Sequence, residues 1–343
     1  MKCTIQNIAD HLGLSRNTVS KALKNSSEVS ENTRNLVIKT ASKLGYKNAT
    51  FATPVIPASE TGSNGTILFL TRTYASDSEF WTTVLRGIES ILSNANYHLA
   101  ISIMSDSDLK QLNFPQTISD SSIKGIILVE ICDKVVCDAL SQFNLPIVSV
   151  DMPNVPFEEL NGIDVVTMES KKNLKKIINQ LIEKGAESFG FVGDLYSPNV
   201  SRGFQERYNA LSECLAEHQL PLNQKNCLLH QTPEDFRNFQ TTVNNLQAMI
   251  SLPDVFICGN DWTAIQLIYA LQFLGFQIPK DICVVGFDNI PAASRISPSL
   301  TTISTPQKYL GIAAARQILE RIQHPNCPHV FCQYETCLLY TSP

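Results

Sequence analysis

From Thr66 onward, short apolar runs alternate with stretches in which apolar residues recur every three or four positions. Strands that alternate with helices predict parallel sheets of the doubly wound type, because each parallel strand needs a helical crossover before the next one. The predicted strands are 66–70, 98–103, 125–129, 146–150, 188–192, 255–258 and 282–285, and the predicted helices are 173–183, 205–217, 236–250, 264–274 and 310–322. This length of chain suits two α/β lobes.

Charge divides the chain into a basic head and an acidic body. The whole sequence of 343 residues carries a formal net charge of −5. Residues 1–50 hold eight basic and three acidic side chains, a balance of +5, and the other 293 hold 19 basic and 29 acidic ones, a balance of −10. A basic head on an acidic body indicates a nucleic-acid-binding module fused to a domain with another task.

The head has the pattern of three short helices. Thr4 is a suitable cap for a first helix that ends at Gly13, and Ser15 is a suitable cap for a second helix, Arg16 to Leu23. Ser30 caps a predicted third helix. Its expected buried stripe is Leu36, Val37, Thr40, Ala41 and Leu44. Two short helices joined by a glycine turn and closed by a third predict a helix-turn-helix, although a plain helical bundle remains the alternative.

The second helix carries side chains that suit the edges of DNA bases. Arginine pairs with guanine, asparagine with adenine, and lysine reaches guanine or phosphate, so Arg16, Asn17 and Lys21 are the predicted base-reading residues. The residues predicted to hold the DNA backbone are Ser15, Thr18, Ser20, Lys24, Asn25 and Ser30.

The head resembles the DNA-binding domain of the LacI/GalR family of transcription regulators. The resemblance rests on TIQNIADHLGLSRNTVSKALKN at 4–25, VSENTR at 29–34 and KLGY at 43–46. It implies that Arg16, Asn17 and Lys21 occupy the base-reading positions of the family.

The segment after Tyr46 departs from that family. Relatives form a hinge helix here that wedges a side chain into the minor groove; Ala52 matches a family alanine and Val55 falls at the wedge position. Pro54 and Pro57 disfavour a helix, since proline removes a backbone donor. We therefore expect a short, shifted or missing hinge helix.

Polar residues follow several predicted strands of the body. Ligands of doubly wound sheets bind beyond the carboxyl ends of the strands, which makes these positions candidates. They are Asp151, Asp194, Asn260, Asp261 and Asp288, with Arg207 on a helix, and Phe80 and Trp81 at the start of the first body helix. Carboxylates, a guanidinium and aromatic faces suit a sugar. For Asp194 a helix cap is the favoured interpretation, and for Trp81 packing in the core is the alternative.

The body also resembles the LacI/GalR family, whose core is like a periplasmic sugar-binding protein. The resemblance is carried by RGIE at 86–89, KGIIL at 124–128, GND at 259–261 and IPKDICVVGFD at 278–288. It implies that Asp151, Arg207, Asn260 and Asp288 bind a small effector, with stacking by Phe80 and Trp81. Phe236 lies near another aromatic position of the family.

These observations predict an α/β protein with a three-helix DNA-binding head and a two-lobed core. We expect domains at 1–48 (head), 49–64 (linker) and 65–343 (core), with a first lobe of 65–164 and 293–326 and a second lobe of 165–292 and 327–343. The expected function is a repressor of transcription that binds operator DNA as a homodimer and responds to a sugar. A nucleobase or nucleoside effector, and a sugar-binding protein without a regulatory role, are the alternatives.

Other classes of function lack support in the sequence. Motifs of serine hydrolases, zinc proteases and P-loop enzymes do not occur, so we expect no catalysis and no cofactor. The histidines and cysteines between 324 and 337 fit no pattern of metal ligands, and we expect no metal. The sequence has no apolar run of membrane-helix length and no signal peptide at its start, which predicts a cytoplasmic protein.

Overall fold

The computed structural model describes residues 4–23, 29–30, 33, 36–37, 40–41, 63–72, 78–195, 201–230 and 238–339. The chain divides into two compact units, Met1–Gly62 and Ser63–Pro343, and each is described by itself. In the described part of the chain, none of the helices has the length and apolarity needed to cross a bilayer.

The first unit begins with the two predicted helices, α1 (Ile5–Leu12) and α2 (Arg16–Leu23). The Thr4 side chain accepts a hydrogen bond from Asn7 N and so caps α1. Gly13 has φ +65°, the left-handed conformation that ends α1 and turns the chain toward α2. The sequence therefore predicts both helices correctly.

The first unit has a small apolar core of its own. It contains Ile8, Ala9, Val19, Ala22, Val29, Val37 and Ala41. Residues 33, 36, 37, 40 and 41 are helical, as predicted for the third helix. The prediction that Leu36 is buried is wrong, since its side chain is 51% exposed. Val37, Thr40 and Ala41 form the buried stripe, and Leu36 lies about 100° around the helix from Val37.

The second unit alternates strands and helices. Its strands are β1 (Thr66–Arg72), β2 (His98–Met104), β3 (Ile123–Val129), β4 (Ile147–Val150), β5 (Asp164–Met168), β6 (Phe189–Asp194), β7 (Leu228–His230), β8 (Val255–Cys258), β9 (Cys283–Asp288), β10 (Thr301–Ser304), β11 (Phe331–Tyr334) and β12 (Cys337–Leu339). Its helices are α3 (Glu79–Asn94), α4 (Asp106–Gln111), α5 (Lys134–Ser141), α6 (Lys172–Glu183), α7 (Arg202–Glu217), α8 (Phe239–Ala248), α9 (Asp261–Phe273) and α10 (Gln307–Gln323). Short 3₁₀ turns lie at Gln116–Ser119, Phe157–Glu159, Gln224–Asn226 and Pro291–Ser294.

The strands form two sheets. The first has the order β11-β5-β4-β3-β1-β2 and the second the order β12-β10-β9-β8-β6-β7. Neighbouring strands are parallel, except that β12 runs antiparallel to β10. Ile67 and Phe69 of β1 face one apolar core, and Leu68 and Leu70 face another. Burial on both faces explains why central strands such as β1 and β3 are continuous apolar runs rather than alternating ones. The predicted doubly wound α/β class is confirmed.

Each sheet and its helices make one lobe, and the predicted lobe boundaries are wrong in detail. The first sheet includes β5, which extends past the expected boundary at 164, and also β11, which was expected in the second lobe. The second sheet includes β10, which was expected in the first lobe. The chain therefore crosses between the lobes at residues 169–171, 305–306 and 335–336.

A buried ion pair explains the position of β11. Asp164 is fully buried and accepts hydrogen bonds from Arg321 Nε (3.0 Å) and Nη2 (2.8 Å) and from Val330 N (2.8 Å). Arg321 also donates to the carbonyls of Pro325, Cys327 and Pro328. These bonds hold the loop before β11 against the first lobe, so β11 pairs with β5.

We expect Arg321→Met to lower the free energy of unfolding by about 3–5 kcal/mol, because it leaves the Asp164 carboxylate buried without a counter-charge. Chemical denaturation of the purified protein measures this. Arg316→Met is the matched control, since Arg316 is an exposed arginine of the same helix, and it should stay within about 0.5 kcal/mol of the wild type. An equal loss in both variants would contradict the role of the ion pair.

Candidate functional site

In the head, α2 presents its first residues to solvent. Arg16 and Asn17 are exposed, whereas Val19 and Ala22 are buried. The Ser15 hydroxyl accepts a hydrogen bond from Thr18 N (3.1 Å) and fixes the start of the helix. This is the arrangement that a helix needs to read base edges with its first turn.

The remaining predicted DNA contacts are only partly described. Thr18, Ser20 and Lys21 are half-buried. Ser30 accepts a hydrogen bond from Thr33 N (3.3 Å), as expected of a helix cap. Lys24, Asn25, Ala52, Val55 and Phe236 lie outside the described residues, and so does the segment of the hinge prediction; these assignments stay predictions.

In the core, Arg207 is the centre of a buried polar cluster. Its side chain is 3% exposed, and Nη1 donates to the carbonyl of Gly259 (2.6 Å). The guanidinium carbon lies 3.7 Å from the ring centroid of Phe287 and 5.2 Å from that of Phe204. The aromatic faces supply cation–π contact to a charge that burial has removed from water.

Asp151 reaches this cluster from the other lobe. It directly follows β4 with φ +72°, and its Oδ1 accepts a hydrogen bond from Met152 N (2.8 Å). The Ser201 hydroxyl, at the start of α7, also donates to the Asp151 carboxylate. Next to it, Arg202 N donates to Met152 O (2.9 Å). The start of α7 is thereby joined to the first lobe, which brings Asp151 near Arg207.

Burial dominates the electrostatics of the cluster. It raises the pKa of Asp288 well above its usual value and also raises the pKa of Asp151, although the nearby Arg207 opposes both shifts. Burial raises the pKa of Asp261 to about 7, against hydrogen bonds from Thr302 and from the backbone at 289 and 290. The pKa of the Arg207 guanidinium is lowered by burial, against the attraction of Asp288 and Asp151.

Two polar atoms in this region have no hydrogen-bond partner among the described residues. They are Nε of Arg207 and Oγ of Ser170, and both are buried. A Cβ built at Gly203 would lie 3.4 Å from both Arg207 Nη2 and Ser170 Oγ, so the two side chains border the same glycine. Their orphaned atoms give the cluster one further donor and one further hydroxyl.

The other predicted effector residues that the structure describes cap a helix or pack in the apolar core. Asn260 accepts a hydrogen bond from Thr263 N (2.9 Å) and caps α9. Phe80 is 5% exposed and lies in the main apolar core, and Trp81 is half-buried against it with ring centroids 4.6 Å apart. Both rings therefore contribute to the packing of the apolar core. Their helix contacts the segment after the Asp288 turn, because Ala292 N donates to Glu79 (3.2 Å).

Among the strand-end residues of the core, the sequence prediction was wrong for Asp194, and it missed an aromatic residue of the cluster. The interpretation of Asp194 as a helix cap is wrong, since Ser201 caps α7. Phe287 was overlooked because it stands in an apolar run that indicates only a buried strand. No local pattern shows that its ring lies beneath the guanidinium of a residue 80 positions earlier.

Comparison with known proteins agrees with both units. Residues 4–48 match the model of bacterial regulatory proteins of the lacI family, and residues 178–336 match that of a periplasmic binding protein-like domain. A curated relative, the ribose operon repressor of Haemophilus influenzae, is 27% identical over 327 residues, which cover 94% of this chain and 93% of the relative.

Solved structures share the fold. The lac repressor dimer bound to operator and the anti-inducer ONPF superposes with a TM-score of 0.66 at 19% identity, covering 99% of this chain and 98% of that one. A LacI family regulator of Enterococcus faecium with bound ribose gives 0.65 at 24% identity, covering 80% and 97%.

Both domain models match in the order that the fold requires, and the relative aligns over nearly the whole chain. The chain therefore combines a helix-turn-helix head of the lacI family of bacterial regulatory proteins with a periplasmic-binding-protein-like core, and its curated relatives are LacI-family repressors of transcription.

Proposed function

We propose that this regulator represses transcription as a homodimer and that an uncharged sugar, bound beside Arg207 between the lobes, controls its affinity for operator DNA. It acts in the cytoplasm, without a catalytic step, a cofactor or a membrane. The observation that carries the effector proposal is the buried cluster of Arg207, Asp151 and Asp288, which comes from both lobes.

The chemistry of the cluster favours a neutral polyol. A hydroxyl group both donates and accepts, so vicinal hydroxyls satisfy a carboxylate and a guanidinium at once. Nε of Arg207 and Oγ of Ser170 have no partner among the described residues and are available to such a ligand. Four described carboxyl groups, those of Asp288, Asp151, Glu206 and Asp261, lie near the one guanidinium of Arg207, a balance that disfavours phosphorylated or acidic sugars. The H. influenzae relative is named a ribose operon repressor, and the E. faecium structure holds ribose.

DNA recognition is assigned to the first turns of α2. Arg16 and Asn17 are exposed and Lys21 follows one turn later. The basic head supplies phosphate attraction, and these three side chains supply base readout. Because the core is acidic, we assign DNA binding to the head alone.

We expect Arg16→Ala to relax base preference at one position of each half-site and to weaken specific binding by about 1–3 kcal/mol. Selection from a randomised DNA library, followed by titration at fixed salt, measures both effects. Gln6→Ala on the neighbouring helix α1 is the control and should select the wild-type sequence. An Arg16→Ala protein that selects the same site with the same preference would contradict the assignment.

We expect Asp288→Asn to abolish the response to sugar while leaving operator binding in the absence of sugar unchanged. A thermal-shift screen with D-ribose, D-glucose, cellobiose, ribose 5-phosphate, inosine and hypoxanthine identifies the class of ligand. A ligand at 100 times its Kd stabilises the wild type by about 2.7 kcal/mol, and the variant should lose this gain. Asp194→Asn is the matched strand-end control and should keep it. Stabilisation by hypoxanthine alone would favour the nucleobase alternative.

An exposed aromatic face on α9 supports the dimer. Trp262, Tyr269 and Phe273 are 38%, 43% and 68% exposed, and their spacing of seven and four residues puts them on one side of the helix. Phe239 of α8 extends this face, with its ring centroid 5.8 Å from that of Phe273. A contiguous aromatic face of this kind is typical of an interaction surface. A second copy is the proposed occupant, because the lac repressor of the same fold is described as a dimer on its operator.

We expect the wild-type protein to elute as a dimer in size-exclusion chromatography with light scattering, and Tyr269→Glu to shift it toward a monomer. Ile250→Glu is the control, since Ile250 is a 95% exposed apolar side chain outside this face. A wild-type monomer at micromolar concentration would overturn the assembly proposal.

A further inference from the structure

The turn after β9 has a backbone that its own residues disfavour. Asp288 has φ +121° and Asn289 has φ +57°, so two successive residues that are not glycine adopt positive φ. Asparagine is often found at the φ of Asn289, but the φ of Asp288 lies outside the left-handed helical region and persists only when the surroundings hold it in place. The turn carries the Asp288 carboxylate of the proposed effector cluster. The contacts that hold the turn therefore affect how the protein responds to its effector.

Part of the support comes from the lobe to which the turn belongs. The Asp261 carboxylate accepts hydrogen bonds from Ile290 N (2.9 Å) and from the Thr302 hydroxyl (2.5 Å). Asn289 Nδ2 donates to the Ser304 hydroxyl (3.2 Å). These contacts fix the far side of the turn to α9 and β10.

The Asp288 carbonyl is held from the other direction. It accepts hydrogen bonds from Gln307 Nε2 (2.7 Å), from the Thr305 hydroxyl (3.1 Å) and from Thr305 N (3.4 Å). The shortest of the three comes from Gln307, which is 7% exposed. Thr305 lies on the crossover between the lobes, whereas Gln307 is the first residue of α10 in the first lobe. The Gln307 side chain thus joins the strained turn directly to the opposite lobe.

Helix α10 is a rigid part of the first lobe. It packs on α3, β3, β4 and β5. A Cβ at Gly311 would collide with the Val84 carbonyl, and one at Gly87 would collide with the Lys308 carbonyl, so the backbones of α10 and α3 are in direct contact. A displacement of Gln307 therefore requires a displacement of the first lobe.

We infer that Gln307 is the positioning residue that transmits the state of the Asp288 turn to the first lobe. The inference rests on the proposed function, since the ligand on the Asp288 carboxylate is the proposed sugar. A ligand that pulls on this carboxylate reorients the adjoining peptide, whose carbonyl is the acceptor for Gln307. Two orientations of the Asp288 carbonyl therefore correspond to two positions of α10, because the hydrogen bond from Gln307 couples the carbonyl to the helix.

The test is a linkage measurement on Gln307→Met, which keeps the size of the side chain but removes its donor. The ratio of operator Kd with and without saturating sugar gives the coupling factor, and allosteric proteins typically show about 5–150-fold. Loss of one hydrogen bond is expected to reduce this factor about 5-fold. The operator Kd without sugar and the sugar Kd without operator should each stay within about 3-fold of the wild type, a pattern that general destabilisation does not produce.

Gln317→Met is the matched control. Gln317 lies on the same helix and donates its Nε2 to Asp164 (3.0 Å), in the ion-pair cluster of the first lobe. It should retain the wild-type coupling factor. Gln307→Leu, whose side chain has no donor in any protonation state, is the second variant and should behave as Gln307→Met does. Full coupling in either Gln307 variant overturns the inference while leaving the proposed function intact.

Hydrogen exchange of the ligand-free protein separates the two proposals. If none of the six screened compounds changes operator binding by the wild type, the sugar proposal fails and the role of Gln307 is judged by exchange alone. Gln307→Met should then speed exchange of the amides of Asn289, Ile290 and Thr305 about 5-fold, with no change inside α3. Unaltered exchange at those three amides overturns the role of Gln307, whatever the effector is.

Discussion

The buried guanidinium of Arg207 is the constraint on which the interlobe region depends. A charge removed from water is tolerated only when aromatic faces, a carbonyl and carboxylates surround it closely. Phe287, Gly259 and Asp288 come from the ends of neighbouring strands, and Asp151 comes from the other lobe. The carboxyl ends of both sheets must therefore face the same crevice. The same burial raises the pKa values of the carboxylates and lowers that of Arg207, so the region suits a ligand that hydrogen-bonds rather than one that brings a full charge.

Connections between the lobes determine how this region can move. The first and third crossovers are bonded together, because the Thr336 hydroxyl donates to Glu169 (3.5 Å). The start of α6 adds two contacts to the third crossover, from Asn173 Nδ2 to Thr336 O (2.8 Å) and from Lys172 to Glu335 (3.2 Å). Glu169 accepts from the backbone of Lys171 and Lys172. The second crossover is bonded to the Asp288 turn through Thr305 and Gln307. Rigid lobes joined by a few short segments are the usual basis of hinge motion around a ligand.

The sequence pattern was sufficient to predict those elements whose structure depends on interactions between residues close in the chain. Caps and spacing predicted α1 and α2 to the residue, because a helix start depends on side chains within one turn. Apolar runs located the central strands, since burial on both faces demands them. Strand β10 was missed because threonine and serine fill three of its four positions, and hydrogen bonds with Asp261 and Asn289 satisfy their hydroxyls there. Leu36 was misassigned because its neighbours at 37, 40 and 41 complete the stripe without it.

The sequence by itself determined the division into a basic head and an α/β core, the helix that carries Arg16 and Asn17, and the strand ends that carry Asp151, Asn260 and Asp288. These features follow from composition, periodicity and the topology of parallel sheets. Only the tertiary structure decided which distant residues meet. Phe287 lies beneath Arg207, Arg321 pairs with Asp164, and Gln307 donates a hydrogen bond to the Asp288 carbonyl. Each of these pairs joins residues 19 to 157 positions apart, and no local propensity encodes such a contact. The physical reason is that a buried charge or a strained turn selects its partners by proximity in the folded chain.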